Sequence, residues 1–151
     1  MRLTTKGRFA VTAMVDLAQN STNNAVKLNA ISERQQISLF YLEQLFSKLR
    51  KAGLVDSVRG PGGGYVLKHA PEHINVVQII EAVEDKLDAT LCSGKANCQS
   101  GESCLTHDLW HNLNHTIHHY LSSVTLLNLL QKKLPEHTMT FHKTHQTKEH
   151  L

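Results

Sequence analysis

Three cysteines and one histidine carry the most distinctive chemistry in the chain. Cys92, Cys98 and Cys104 are spaced C-x5-C-x5-C, and His107 follows as C-x2-H. Thiolate and imidazole bind soft and borderline metals. Such intervals let one flexible loop wrap a small centre, and His107 falls in the first turn of the helix that follows. Three loop thiols and one helical imidazole make a four-ligand set. Spacing alone leaves the metal open. Cys₃His zinc sites usually show a C-x2-C pair, which this loop lacks. Iron–sulfur clusters also use thiolates, and imidazole can replace thiolate on one iron. A histidine ligand can take up a proton, which suits a labile sensor better than a structural brace.

A second constellation lies upstream. Ser38, Phe40, Tyr41, Glu43 and Gln44 fall on the outward face or first turn of one predicted helix. Arg59 precedes Gly60-Pro61-Gly62-Gly63-Gly64. A helix fits the major groove, where Gln44 can pair donor and acceptor with adenine. Ser38 and Tyr41 can reach phosphates or base edges. Arg59 suits a narrow minor groove, while Gly60 and Gly62 leave room for the sugar–phosphate backbone. Arg2, Lys6 and Arg8 add cationic charge. Glu43 has two readings, acceptance from a cytosine amino group or a surface salt bridge with Lys48 or Arg50. A nucleotide phosphate loop would need Lys-Ser/Thr after the last glycine, and Tyr65 stands there.

The elements that must position these groups are legible. Thr4 or Thr5 caps a first helix with Phe9, Ala10, Ala13, Met14 and Leu17 on one face. A short helix spans about Asn29 to Gln35, with Ile31 inward. Ser38 caps the next, which turns Leu42, Leu45, Phe46 and Leu49 inward and stops at Gly53. Leu54–Val58 and Tyr65–Leu67 read as a β-ribbon. This is a helix-turn-helix followed by a wing. Asn75 caps a helix bearing Val76, Ile79, Ile80 and Val83. Residues 86–104 read as a loop. A long helix is expected from Leu105 to about Leu121, with Leu105, Leu109, Leu113, Ile117 and Leu121 as an apolar stripe. A last short helix follows Thr125.

The fold expectation is therefore mainly α with a small β-wing: a winged helix-turn-helix plus a long dimerisation helix. Residues 1–75 form the DNA-binding domain, 76–133 the cluster loop and dimerisation helices, and 134–151 a disordered tail. Residues 1–75 carry ten Lys/Arg against five Asp/Glu, whereas residues 76–151 carry six against eight. A basic first half fits a polyanion. Phe9–Val15 is too short an apolar run for a secretory signal, and no run approaches the roughly 18 residues of a membrane span. The expected setting is cytoplasmic, without a membrane partner. No Ser/His/Asp set or carboxylate pair points to an enzyme.

Taken together, MRLTTKGRFAVTAM at 1–14, ISLFYLEQLFSKLRKAGLVDSVRGPGGGY at 37–65 and the Cys92/Cys98/Cys104/His107 set resemble the IscR family of bacterial iron–sulfur cluster regulators. The resemblance covers about residues 1–133. It implies a homodimeric winged-helix transcription factor that binds double-stranded operator DNA. It also implies a [2Fe–2S] cluster on Cys92, Cys98, Cys104 and His107, with the iron–sulfur assembly machinery as donor. Control of cluster assembly genes, commonly by repression, is implied as well. Ser38, Tyr41, Glu43, Gln44 and Arg59 match the family's DNA-contact or discrimination positions. Phe40 stands where relatives carry a small polar residue, and Gln36 where glycine is usual. A zinc- or thiol-redox-responsive regulator of the same architecture is the alternative.

Overall fold

The computed structural model describes residues 3–84 and 87–136. Arg2 and most of the expected tail lie outside the described residues; Leu134, Pro135 and Glu136 have no regular structure.

The helix-turn-helix forms where its apolar periods place it, although Thr4, expected to cap the first helix, stands at the N-cap without a capping bond to that helix. Helix α1 (Thr5–Asn20) buries Ala10, Ala13, Met14 and Leu17, and α2 (Leu28–Gln35) buries Ile31. Helix α3 (Leu39–Lys51) buries Leu42, Leu45, Phe46 and Leu49. Each such side chain contributes about 1.5–3 kcal/mol on leaving water. The Ser38 hydroxyl accepts the Tyr41 N–H at 3.2 Å and so caps α3. At the other end Gly53 takes φ +77°. The Leu54 N–H returns to the Leu49 carbonyl at 3.1 Å and the Gly53 N–H to Arg50 at 3.0 Å. That pair of bonds satisfies carbonyls the helix leaves open. Gln36 sits at φ 57° between α2 and α3. This is the left-handed conformation for which glycine is favoured, at a cost of roughly 1–2 kcal/mol for other residues.

Strand β1 (Val55–Val58) pairs antiparallel with β2 (Gly64–Leu67), Val55 opposite Leu67 and Val58 opposite Gly64. Tyr65 lays its ring edge-on to Phe46, centroids 4.9 Å apart, which pins the wing to α3. Val26 widens the ribbon by exchanging backbone bonds with Tyr65 at 2.8 and 2.9 Å. The approach depends on Gly64, where a Cβ would overlap the Val26 carbonyl.

A 3-10 turn at Pro71–His73 leads to α4 (Val76–Val83). Helices α5 (His107–Ser123) and α6 (Leu126–Gln131) complete the order. Both α4 and α6 start in capping boxes, Asn75 with Gln78 and Thr125 with Asn128. The Val76 N–H reaches the Val124 carbonyl and the Leu126 N–H the Ile74 carbonyl, both at 2.9 Å, so the two starts are tied side by side. Helices α4 and α6 pack on α1, joining the C-terminal segment to the first domain's core.

Helix α5 starts two residues later than its apolar stripe suggests. The Cys104 carbonyl accepts the His107 N–H at 3.2 Å in a turn ahead of the helix, and Leu105 is left fully exposed. Along α5, Leu109 and Trp110 are exposed, whereas Leu113, Ile117 and Leu121 are half-buried.

Candidate metal centre and nucleic-acid interface

The Cys92 sulfur lies 3.6 Å from His107 Nδ1, and the Cys98 sulfur 3.7 Å from the same nitrogen. These three donor atoms fall within 4.8 Å of one another. Cys104 is outside that group; its sulfur lies 3.8 Å from the Thr106 hydroxyl. All four residues nevertheless line one cavity of about 280 Å³, together with Thr90, Leu91 and Trp110. Cys92 and His107 are buried, Cys98 and Cys104 half-buried, and none of the three thiols forms a disulfide.

The loop supplies electrostatics as well as ligands. Burial pushes the Cys92 thiol up, but the backbone N–H groups of Ala96, Asn97 and Gly94 and the Thr90 hydroxyl outweigh it and bring the pKa down to about 6. Cys92 is thus a thiolate at neutral pH, the form that binds metal. Cys98 accepts the Cys104 N–H at 3.0 Å, which favours its thiolate, yet the adjacent Cys104 thiol and burial leave its pKa raised. The contact with Cys98 and the Thr106 N–H lower that of Cys104. Residues Ser93, Ala96 and Ser100 have positive φ, as do Gly94 and Gly101, so the loop is a series of left-handed turns.

Sequence reasoning missed the residues that anchor this loop. Asp88 Oδ1 accepts from the Thr90 N–H at 2.7 Å, the Thr90 hydroxyl at 2.6 Å and Asn114 Nδ2 at 2.6 Å. Asn114 Oδ1 in turn accepts the Ala89 N–H at 2.6 Å, so α5 holds the loop just ahead of Thr90. The Asp-x-Thr pattern was a local turn signal; Asn114 had none, because only packing brings α5 to it. Trp110 Nε1 donates to the Thr106 hydroxyl at 3.1 Å, beside Cys104.

In the first half of the chain, Phe40, Tyr41, Glu43 and Gln44 share a groove of about 550 Å³ along α3, with Lys6, Lys48 and Lys51. Phe40 is 70% exposed. Tyr41 is half-buried against the edge of Phe9, centroids 5.7 Å apart. Ser38 spends an acceptor site on its cap, and its hydroxyl proton remains available to a phosphate. Glu43 forms no salt bridge among the described residues. Lys48 Nζ donates to the Val83 carbonyl and Arg50 to Ser57 instead. Glu43 also lines a groove of about 420 Å³ between α3 and the wing, with Leu39, Val58 and Gly60. Arg59 is exposed on the wing. Gly60 takes φ +101°, a Cβ at Gly63 would overlap the Val58 carbonyl, and Gly62 faces open space. Arg2 lies outside the described residues.

A family model, described as "Rrf2: Iron-dependent Transcriptional regulator", matches residues 3–132. The chain belongs to the Rrf2 family. Its similarity to an HTH-type transcriptional regulator of Neisseria meningitidis is 68% identity over 133 residues, 88% of this chain and 90% of the relative. The HTH-type transcriptional regulator IscR of Vibrio cholerae is 58% identical over 130 residues, 86% of this chain and 75% of its own. Among solved structures, T. potens IscR aligns with a TM-score of 0.72 at 39% identity, covering 87% of this chain and 88% of that one. CymR, the global cysteine regulator of B. subtilis, aligns at 0.77 and 33%, covering 87% and 98%. This Rrf2 protein is an iron–sulfur-sensing, DNA-binding transcriptional regulator of winged-helix fold, as its likeness to IscR implied. The Rrf2 description and the Cys92/Cys98/His107 group agree on a metal-dependent site. No helix among the described residues is long and apolar enough to cross a membrane.

Proposed function

We propose that the chain is a homodimeric cytoplasmic regulator, commonly a repressor, of iron–sulfur cluster assembly genes. It holds a [2Fe–2S] cluster on Cys92, Cys98, Cys104 and His107, received from the assembly machinery. The observation that carries this reading is the convergence of all four side chains on one cavity at the start of α5. The donor set fits the group: three thiols, one imidazole and inward N–H groups of the kind that stabilise cluster sulfurs. When bound, the cluster supplies an oxidant-labile tie whose occupancy follows iron–sulfur supply. Cys92 and Cys98 come from a loop with little core of its own, and ligation orders such a loop. His107 passes that order to α5. Exposed Leu109 and Trp110, with half-buried Leu113 and Ile117, supply the dimer face. Two α3 helices then enter successive major grooves, with Ser38, Phe40, Tyr41, Glu43 and Gln44 as readers. Arg59, Gly60 and Gly62 meet the minor groove and backbone, and Arg2 adds a phosphate contact. Unpaired, Glu43 acts as a discriminator, because an acid near phosphates is tolerated only where a base amino group meets it.

Anaerobic purification with a visible spectrum and iron and sulfide assays tests the cluster. A reddish-brown protein with equal iron and sulfide, two of each per chain, is expected. A colourless protein with about one zinc per chain after reconstitution would replace the cluster with zinc. Cys92→Ala is expected to change the ratio of affinities for different operators while the first 70 residues stay folded; an unchanged affinity for every operator sinks the switch. Arg59→Ala is expected to weaken operator binding about 10-fold, roughly 1.4 kcal/mol. It is also expected to reduce the salt slope by about one. Tight binding with an unchanged slope refutes the wing's role.

A further inference from the structure

The first turn of α1 lacks an acceptor of its own. It contains no acid, and Thr4, at the N-cap position, makes no capping bond to its own helix. Helix starts expose N–H groups and favour a negative charge. Here the charge comes from α4's end. Glu84 Oε1 accepts the Gly7 N–H at 2.6 Å and also the Thr4 hydroxyl. The seat is shaped for it: a Cβ on residue 7 would stand 2.8 Å from Glu84 Oε1 and 3.2 Å from its Cδ. Glycine inside a helix is otherwise unfavourable, and this contact gives it a reason.

Glu84 ends α4, and the ligand segment follows it. The residue before it, Val83, accepts a hydrogen bond from Lys48 of α3 at 3.3 Å. Two consecutive residues therefore grip both DNA-facing elements, α1 through Gly7 and α3 through Lys48. Leu87 and Asp88 line the same groove of about 930 Å³ as Thr4, Lys48 and Glu84. Asp88 accepts from Thr90, which lines the ligand cavity beside Cys92.

We propose that Glu84 is a positioning residue that transmits the state of the ligand loop to the DNA-binding half by holding the start of α1. The proposal rests on cluster-controlled operator binding. Rearrangement of the loop moves the chain at residue 84, and the carboxylate carries that movement to α1 and its cations Lys6 and Arg8.

The test measures operator affinity of anaerobically reconstituted and metal-free protein by fluorescence anisotropy, and compares the ratio of the two. Coupling of this kind spans about 5- to 150-fold. Glu84→Ala is expected to bring the ratio to within about twofold of one, with the visible spectrum unchanged. Gly7→Ala, which displaces an intact carboxylate, is expected to do the same and covers the case of a poorly folded Glu84→Ala. Glu84→Gln keeps an accepting oxygen and is expected to retain most of the ratio. In metal-free Cys92→Ala protein, adding Glu84→Ala is expected to leave operator affinity within about twofold. A wild-type ratio in both Glu84→Ala and Gly7→Ala overturns the proposal. So does an equal loss of affinity in the Cys92→Ala background, which would make Glu84 a plain brace. A ratio of one in the wild type overturns cluster control itself and is thereby distinguishable.

Discussion

Between residues 5 and 67, each helix turns an apolar face to one core, and Ala10, Met14, Ile31, Leu42, Phe46 and Leu49 have no exposed surface. Between residues 87 and 106 the only buried side chain is Cys92, and order comes from Asp88, Thr90, Asn114 and a series of left-handed turns. The first region is held by exclusion of water, which works whether or not a ligand is present. The second has little apolar surface to offset the entropy of fixing its backbone, and under the proposed function its order depends on what its thiols hold. A sensor is built by joining the two: a reader that stays folded and a loop whose order depends on its load.

The largest expected effect strikes the reader's core. Phe46→Ala removes a fully buried ring and its contact with Tyr65. It is expected to cost about 3–5 kcal/mol and to abolish binding to every operator, measured by thermal melting and gel shift. If only the ligand loop loosened, the division between the two regions would fail.

A smaller effect is expected at Asp16, which joins α1 to α2. Its buried carboxylate accepts from Arg34 at 2.7 and 3.0 Å and from Gln35 at 2.7 Å. Burial raises its pKa, but these bonds and that from Asn20 outweigh burial and leave it lowered. A lowered carboxyl pKa stabilises the fold above the unfolded value of about 3.9, and that contribution is lost as pH falls through the folded value. Asp16→Asn is expected to cost roughly 1–2 kcal/mol near pH 7. The gap to wild type should narrow below about pH 4 in acid-unfolding curves. A constant gap at all pH values would remove Asp16's charge from the account.

The smallest effect, that of Gly62→Ala, is set against its neighbour Gly63 within the wing. Gly63→Ala is expected to distort the ribbon and lower stability by about 1–3 kcal/mol, since its Cβ meets the Val58 carbonyl. Gly62→Ala meets nothing and is expected to stay within about 0.5 kcal/mol of wild type, while weakening DNA binding. Equal melting temperatures for the two variants would contradict the geometry; undiminished DNA affinity of Gly62→Ala would take Gly62 out of the interface.

Much of the reader was legible because its signals are local. Ser38 and Gly53 bound α3 within a residue of where they stand in the sequence, and the i, i+3, i+4 spacing names its buried face. Gln36 was marked as standing where glycine is usual, and its φ of 57° shows why. Leu105 misled because it continues the spacing of the α5 stripe, but a turn closed by Cys104 and His107 holds it outside the helix. The two readings of Glu43 could not be separated locally. In the fold, Lys48 and Arg50 bond to Val83 and Ser57 instead.

From its residues alone the sequence determined the helices, the caps at Ser38 and Asn75, the core faces, the wing and the four candidate ligands, because periodicity, capping and donor chemistry act over a few residues. Tertiary structure alone decided that Cys92, Cys98 and His107 cluster more tightly than Cys104, that Asn114 anchors the loop and that Glu84 reaches Gly7. Those contacts join residues far apart in the chain. No local pattern specifies them, since they depend on how the helices pack once their apolar faces have met.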